Sequence, residues 1–338
     1  MPHNVTLVSQ QESFTVDSDE PVLSAAKRQG LNLPHSCQSG VCGQCKARLI
    51  SGKTGVWQPH FEMAINEEEA QNRYILLCCS TAQSDLEIDM PGYRGAGVLP
   101  VKTVPSRVSA IEYLANTAIV SLDLPKTAPF SFYAGQYVDV LLKSGVTRSY
   151  SLAGNPKHPE QLELHVRNHL GGAFSSMLFG DSPQIVEKSI LRIRGPLGNA
   201  IPQDSDKPLI ILATGTGFAP VQSLLQQLTR QNSMRRIHLY WGGRYLSDLY
   251  RLQQAEDWIK RLPNASLTPV LSRPHEGWSG ATGYVQTHAV ADYPDMSQAC
   301  VYACGSAAMV ETAYDLLCTH HRLRPEYFFS DAFTPSGK

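Results

Sequence analysis

At 338 residues the chain exceeds one ordinary core, so two or three domains are expected. Its 42% hydrophobic and 17% charged residues suit a soluble globular protein, and a formal net charge of -1 excludes any global pull toward nucleic acid or anionic lipid. No apolar run approaches the roughly 20 residues of a bilayer span, and the N-terminus MPHNVTLVSQQESFTV lacks the basic-then-apolar order of a secretory signal, so a cytoplasmic, non-membrane protein is expected.

In chain order, NVTLVSQ and SFTVDS alternate apolar and polar residues and predict a hairpin; EPVLSAAKRQG then predicts a short helix ending at Gly30. A cysteine loop follows, then strand-like CKARLISGKTG, the acidic INEEEAQNRYILLCC and a closing strand in SDLEIDM. Glu67, Glu68 and Glu69 are most simply a solvated helix face, with partner docking the lesser alternative. Residues 1–91 therefore form a first domain. PGYRGAGVLPVKTVP carries three glycines and three prolines without periodicity, and residues 92–104 are expected to be a linker. From 105 to 203 come short alternating strands (SRVSAIEYL, TAIVSLDL, QYVDVLL, TRSYSLA, QLELHVRN, SILRIRG) interrupted by one helix near AFSSMLFG. That texture predicts an antiparallel barrel or sandwich. From 204 to 338, the apolar runs PLIILAT, RIHLYWG, ASLTPVL and ACVYACG alternate with helical stretches, which predicts a parallel sheet with helices on both faces.

The eight cysteines are Cys37, Cys42, Cys45, Cys78, Cys79, Cys300, Cys304 and Cys318. Without an export signal a disulfide framework is not expected, and their segregation to the two ends of the chain argues the same way. The spacing Cys37-x4-Cys42-x2-Cys45, with Cys78 or Cys79 further on, is the plant-type 2Fe–2S pattern. Two bridged irons each take two thiolates, so four are needed. Gly40 and Gly43 let a short loop wrap such a cluster and leave backbone N–H groups for its sulfurs. Structural zinc sites pair ligands as C-x2-C twice, which fits this spacing poorly.

TRSYS places Arg148 and Tyr150 on one strand face, where a guanidinium meets a phosphate and a phenol ring packs on a flat cofactor; Ser151 faces the other way, toward a ring nitrogen. LHVRNHLGGAFSSML adds His165, Val166 and Arg167, then Gly171, Gly172, Ala173, Phe174 and Ser175, a Gly-Gly turn suited to a pyrophosphate. Downstream, Thr214, Gly215, Thr216 and Gly217 follow an apolar strand directly, as a phosphate-binding strand–helix turn does. Cys304 and Gly305 close another strand, and YFFSDAF puts Asp331 and Phe333 near the C-terminus. Phe328 and Phe329 are assigned to core packing.

Together the cysteine loop, R-x-Y-S, GGAFS, GTGFAP and CGS resemble the bacterial ferredoxin–NADP-reductase-like electron-transfer proteins over nearly the whole chain. GFAPVQSLL, HLYWG, WSGATGYV, VYACGS and FFSDAF-x-PS-x-K look closer to the CDP-6-deoxy-Δ3,4-glucoseen reductase family than to reductase components of ring-hydroxylating oxygenases. The resemblance implies a multidomain chain: an α+β β-grasp ferredoxin, an antiparallel β-barrel FAD domain and an α/β parallel-sheet nicotinamide domain. It implies Cys78 as the fourth iron ligand. FAD would be held by Arg148, Tyr150, Ser151, His165, Val166, Arg167 and the Gly171–Ser175 turn, and NADH by Thr214–Gly217 and Gly305. Cys304 would flank the nicotinamide, with Ser151, Asp331 and Phe333 at the reacting flavin. Two departures from the family pattern are Thr214 in place of a glycine and Gly154 in place of an asparagine, with Asn155 one position late.

The implied chemistry is valence matching: NADH gives two electrons as hydride, FAD divides them, and the cluster passes single electrons to a protein acceptor. The resemblance implies as acceptor a pyridoxamine-phosphate-dependent dehydratase or, alternatively, an oxygenase component. The alternative to an enzyme is a non-catalytic flavin-binding module with a zinc knuckle. Asp248 is either an NADH ribose partner or a helix cap, whereas Arg244, Ser272 and Arg273 suit a 2′-phosphate; the resemblance favours NADH. A monomer is expected.

Overall fold

The computed structural model describes residues 2–35, 38–41, 43–62, 64–90, 93, 99–198 and 206–333. The chain divides into two compact units: Met1–Lys102 forms most of the first, and Thr103–Gly195 with Ile201–Lys338 forms the second.

The first unit contains β1 (His3–Leu7), β2 (Glu12–Val16), α1 (Val22–Arg28), β3 (Lys46–Ser51), β4 (Thr54–Val56), α2 (Glu67–Gln71), β5 (Tyr74–Leu76), β6 (Ser80–Ala82) and β7 (Leu86–Asp89). Its sheet runs β2-β1-β7-β3-β5, with β1 and β7 parallel and the β1–β2 hairpin antiparallel. Alternation in β1 and β2 sends Val5, Leu7, Phe14 and Val16 inward. There they meet Val22, Leu23, Ala25 and Ala26 of α1, giving the one-helix-on-one-sheet core of an α+β domain. The acidic stretch is less of a free face than its composition suggests. Asn66 and Glu69 form a capping box at the start of α2, and Glu69 pairs with Lys46 at 2.6 Å.

The second unit holds two sheets. The first is built from β8 (Lys102–Leu114), β9 (Thr117–Asp123), β10 (Tyr137–Leu141), β11 (Thr147–Ser151), β12 (Gln161–Arg167) and β13 (Ile190–Leu197), with the short α3 (Ser175–Leu178). Its order is β11-β10-β13-β8-β9-β12, and a Leu152–Leu164 bridge joins the two edges, closing it barrel-fashion around Val108, Val120, Leu122, Val138, Leu164 and Ile193. β8 begins four residues before the strand expected at Ser106, because Lys102 and Thr103 already extend its alternating pattern.

The other sheet contains β14 (Leu209–Thr214), α4 (Phe218–Arg230), β15 (Ile237–Gly243), α5 (Leu252–Ile259), β16 (Ala265–Leu271), β17 (Ala281–Thr282), α6 (Val285–Asp292), β18 (Cys300–Ser306), α7 (Ala307–Tyr314) and β19 (Phe328–Phe333). The order β17-β16-β15-β14-β18-β19 is parallel throughout. β14, β15 and β18 are buried almost continuously, as strands covered on both faces must be. The chain progresses outward from β14 in one direction and then returns to its other side with β18. The β14/β18 gap is therefore the topological switch point, where ligands collect at the C-terminal ends of strands in such sheets.

Candidate functional site

At that switch point β14 ends in Thr214 and passes into a tight 3-10 turn, Gly215–Gly217, which leads directly into α4. A Cβ on Gly217 would collide with the carbonyl of Cys304, so only glycine lets this turn lie against the end of β18. Cys304 is fully buried, and its Sγ donates to the Gly217 carbonyl at 3.0 Å. Burial first, and the charge of Asp331 second, push its thiol well up, so the proton stays in that bond. Thr214 explains its own departure from the family pattern: its hydroxyl accepts from the Ser306 backbone N–H at 3.0 Å, tying the tip of β14 to the start of α7. Phe218 stacks on Trp241 at 3.9 Å, and Trp241 Nε1 donates to the Gly215 carbonyl at 3.1 Å, which fixes the turn from below. Thr216 is half-buried at its tip, and Gly305 pairs with Ala332.

The barrel contributes the facing residues. Ser151, at the end of β11, donates to Asp331 Oδ2 of β19 at 2.9 Å across 180 sequence positions. The register sets Asp331 beside Cys304 and Phe333 beside Ser306, so these predicted residues converge on one place. Tyr150 packs against Phe174 at 5.2 Å, and burial pushes its phenol up despite the opposing charge of Arg148. Arg148 spends one N–H on the Thr147 carbonyl and makes no ion pair among the described residues, leaving donors for an anion. Ser175 closes the Gly171–Ser175 turn by exchanging hydrogen bonds with His169.

Three of the expected cofactor residues are held by partners within the protein. Val166 is fully buried in the barrel core, so a ligand meets only its backbone. His165 is buried between Tyr250 (2.6 Å) and Glu163 (2.9 Å) and reaches no open surface. Burial raises the Tyr250 phenol well above its usual range, so Tyr250 O–H donates to Nδ1 and the ring proton sits on Nε2, facing Glu163. Arg167 reaches toward the Gly215 turn and pairs with Asp248 at 2.9 Å. Asp248 uses its second oxygen on the Arg244 and Tyr245 N–H groups, at 2.9 and 3.1 Å. That is the geometry of a cap, not of a free ribose partner. Arg273 N–H donates to the Arg244 carbonyl, bringing those two basic residues onto adjoining turns.

Sequence reading missed the polar bolt around Glu163. Its Oε1 accepts from His165, from Gln222 at 2.6 Å and from Arg251 at 2.8 Å, while Gln222 and Gln226 also hold the Ala153 carbonyl. No local motif marks it, because its members come from β12, α4 and the start of α5.

In the first unit Cys45 lies just before β3 and Cys78 between β5 and β6; both are buried. Cys37 and Cys42 lie outside the described residues. Cys79 Sγ is 3.5 Å from Cys78 Sγ, so geometry alone keeps both near the loop. Cys300, Cys304 and Cys318 are free thiols.

The residues present fit the groups implied. Buried thiol sulfurs on two chain segments suit an iron–sulfur centre, Arg148 beside the Tyr150 ring suits a flavin phosphate and ring, and the bare Gly215–Gly217 turn at a helix start suits a dinucleotide.

Family models agree: a 2Fe-2S iron-sulfur cluster binding domain matches residues 5–83, an oxidoreductase FAD-binding domain residues 107–201, and an oxidoreductase NAD-binding domain residues 211–315. The chain is 39% identical to CDP-6-deoxy-L-threo-D-glycero-4-hexulose-3-dehydrase reductase of Yersinia pestis, over 99% of this chain and 100% of that one. It is 31% identical to terephthalate 1,2-dioxygenase reductase component 1 of Comamonas, over 99% and 98%. Among solved structures, the Amycolatopsis cytochrome P450 reductase GcoB superposes with a TM-score of 0.81 at 28% identity, over 99% of this chain and 100% of that one. The ferredoxin reductase of carbazole 1,9a-dioxygenase, at 22% identity and a TM-score of 0.71 over 99% of both chains, shares the fold. The chain thus belongs to the family of iron–sulfur flavoprotein reductases that carry electrons from NADH through FAD and a 2Fe–2S cluster to a protein acceptor, the family of the hexulose-dehydrase reductases and oxygenase reductase components.

Proposed function

We propose that this reductase serves a pyridoxamine-phosphate-dependent dehydratase of deoxysugar synthesis. The similarity to the Yersinia reductase, which runs the full length of both chains, is the observation that carries this reading. The 31% identity to the Comamonas component supports a second reading, with an oxygenase component as acceptor. Domain limits at 1–91, 105–203 and 204–338 around a 92–104 linker, a cytoplasmic location and a monomer complete the proposal.

FAD held by these residues would supply the change from two-electron hydride chemistry to single-electron transfer toward the iron–sulfur centre. Arg148 would bind a flavin phosphate and Tyr150 would pack on the ring, with the Gly171–Ser175 turn beside the phosphates. Ser151 and Asp331 hold a proton between Oγ and Oδ2 beside Cys304, where nicotinamide and flavin would meet. The Gly215–Gly217 turn would hold the dinucleotide phosphates through backbone N–H groups, with Arg167 over Gly215 adding positive charge. Cys304 keeps its proton on Sγ, donated to the Gly217 carbonyl, and would flank the nicotinamide. Cys45 and Cys78, with Cys37 and Cys42, would hold the cluster.

Reconstituted NADH-driven turnover with a purified dehydratase and, separately, with an oxygenase component tests the choice. Reduction of the dehydratase intermediate is expected. Turnover with the oxygenase alone would replace the first reading by the second. Zinc without acid-labile sulfide in the purified protein would leave only a flavin module.

A further inference from the structure

The segment after β4 lies across the cysteine loop and is fastened at both ends. Trp57 N–H donates to the Cys79 carbonyl at 2.8 Å, and Phe61 N–H donates to the Gly40 carbonyl at 3.0 Å. Between these points Gln58 turns inward while Trp57, Pro59 and His60 stay exposed. Its Nε2 lies 3.0 Å from the Gln38 carbonyl, 3.1 Å from the Cys78 carbonyl and 3.8 Å from Cys79 Sγ. An amide nitrogen has two protons, so the two carbonyls take them and the sulfur sees the positive end of the dipole. Gly40 confirms how closely the segment is seated. It has φ +77, and a Cβ there would lie 2.8 Å from Cys79 Sγ and 2.9 Å from both His60 Cα and the Pro59 carbonyl.

Gln38 belongs to the three-cysteine loop, and Cys78 to the turn that supplies the fourth thiolate. One carboxamide therefore spans the two chain segments on which the expected ligands lie. We propose that Gln58 is a positioning residue for the 2Fe–2S centre, clamping the ligand loop to the fourth-ligand turn and raising the reduction potential. The proposal rests on the iron–sulfur reading above. Its physical basis is twofold. The clamp keeps the two ligand segments at fixed separation, so dissociation of one thiolate is quickly reversed. The reduced cluster carries one more negative charge, and an N–H dipole aimed at the ligand turn stabilises that state over the oxidised one.

The test uses the full-length protein with Gln58→Met, a neutral near-isostere without N–H donors, and Gln58→Ala. Both would be compared with wild type by iron and sulfide content, by electron paramagnetic resonance of the reduced cluster, by midpoint potential and by the rate of iron loss to a chelator. Gln58→Met should shift the g-values, move the potential to more negative values and speed iron loss about 10-fold, the usual consequence of losing an outer-shell partner. Circular dichroism checks folding; if Gln58→Ala does not fold, Gln58→Met carries the test. An unchanged potential, spectrum and release rate in Gln58→Met would overturn the proposal. Wild-type protein without iron and sulfide would instead overturn the cluster reading on which it rests.

Discussion

The Ser151–Asp331 bond shows how little a motif says about its partner. R-x-Y-S marks a strand in the barrel, yet its serine is spent on a carboxylate from the last strand of the other sheet. Asp331 is 6% exposed, so removing a donor from it costs the energy of a hydrogen bond to a charged group in a dry place. Ser151→Ala should lower stability by about 2 kcal/mol and slow flavin reduction by NADH roughly 10-fold, read by thermal denaturation and stopped-flow absorbance. An unchanged flavin-reduction rate would remove Ser151 from the reacting site. Glu163 makes the same point for charge. Burial opposes its ionisation, but the His165 hydrogen bond, the Arg251 charge and Gln222 hold it at about 2. Its pKa is depressed, so its contribution is full above the unfolded value of about 4.5 and lost as pH falls through about 2. His165 is also lowered, by burial, so the unfolded chain binds its proton first and stability is already falling below the unfolded value of 6.5. Acidification should therefore destabilise the second unit from about pH 6.5 downward. Glu163→Gln should flatten the part below pH 4.5, by about 3 kcal/mol at most, in denaturant midpoints measured against pH.

At the scale of the element, the strand–turn–helix at Thr214–Arg230 works because each of its positions is constrained from another strand. Cys304 presses on Gly217, Ser306 draws on Thr214, and Trp241 holds Gly215. Gly217→Ala adds one carbon where the Cys304 carbonyl already stands. The variant is expected to bind FAD with a normal spectrum but to raise the KM for NADH at least 10-fold, as the turn must move away from the phosphate path. Normal NADH kinetics in that variant would mean that the turn does not contact the dinucleotide. Asp248→Ala leaves the Arg244 and Tyr245 N–H groups without their acceptor and frees Arg167. A loss of about 1–3 kcal/mol is expected, with kcat falling less than KM rises, because Arg167 acts on binding and not on the reacting atoms.

For the whole molecule the design separates entry from exit. Nicotinamide and flavin chemistry are gathered in the second unit and the thiolates in the first, so the two halves of the activity should come apart by mutation. Cys45→Ser should abolish transfer to a protein acceptor and leave NADH–ferricyanide activity, which is served by flavin alone, within about 2-fold of wild type, reading a 2-fold change as under 1 kcal/mol. Equal loss of both activities would show that the flavin is not the point of entry.

By itself, the sequence determined the chemistry. Cysteine spacing, R-x-Y-S and the glycine turn are local patterns, and the requirements they meet (four thiolates around two irons, a guanidinium beside a ring, bare backbone at a helix start) are local too. It also determined the order of sheets, because alternation and continuous apolar runs report directly on one-sided or two-sided burial. What only the tertiary structure decided is who meets whom. Asp248 proved to be a cap holding Arg167, His165 a buried member of the Glu163 bolt, and Gln58 a tie between the Gln38 and Cys78 carbonyls. None of these pairings has a sequence signature, since hydrogen bonds between distant strands depend on register and on the length of each turn, which many sequences satisfy alike.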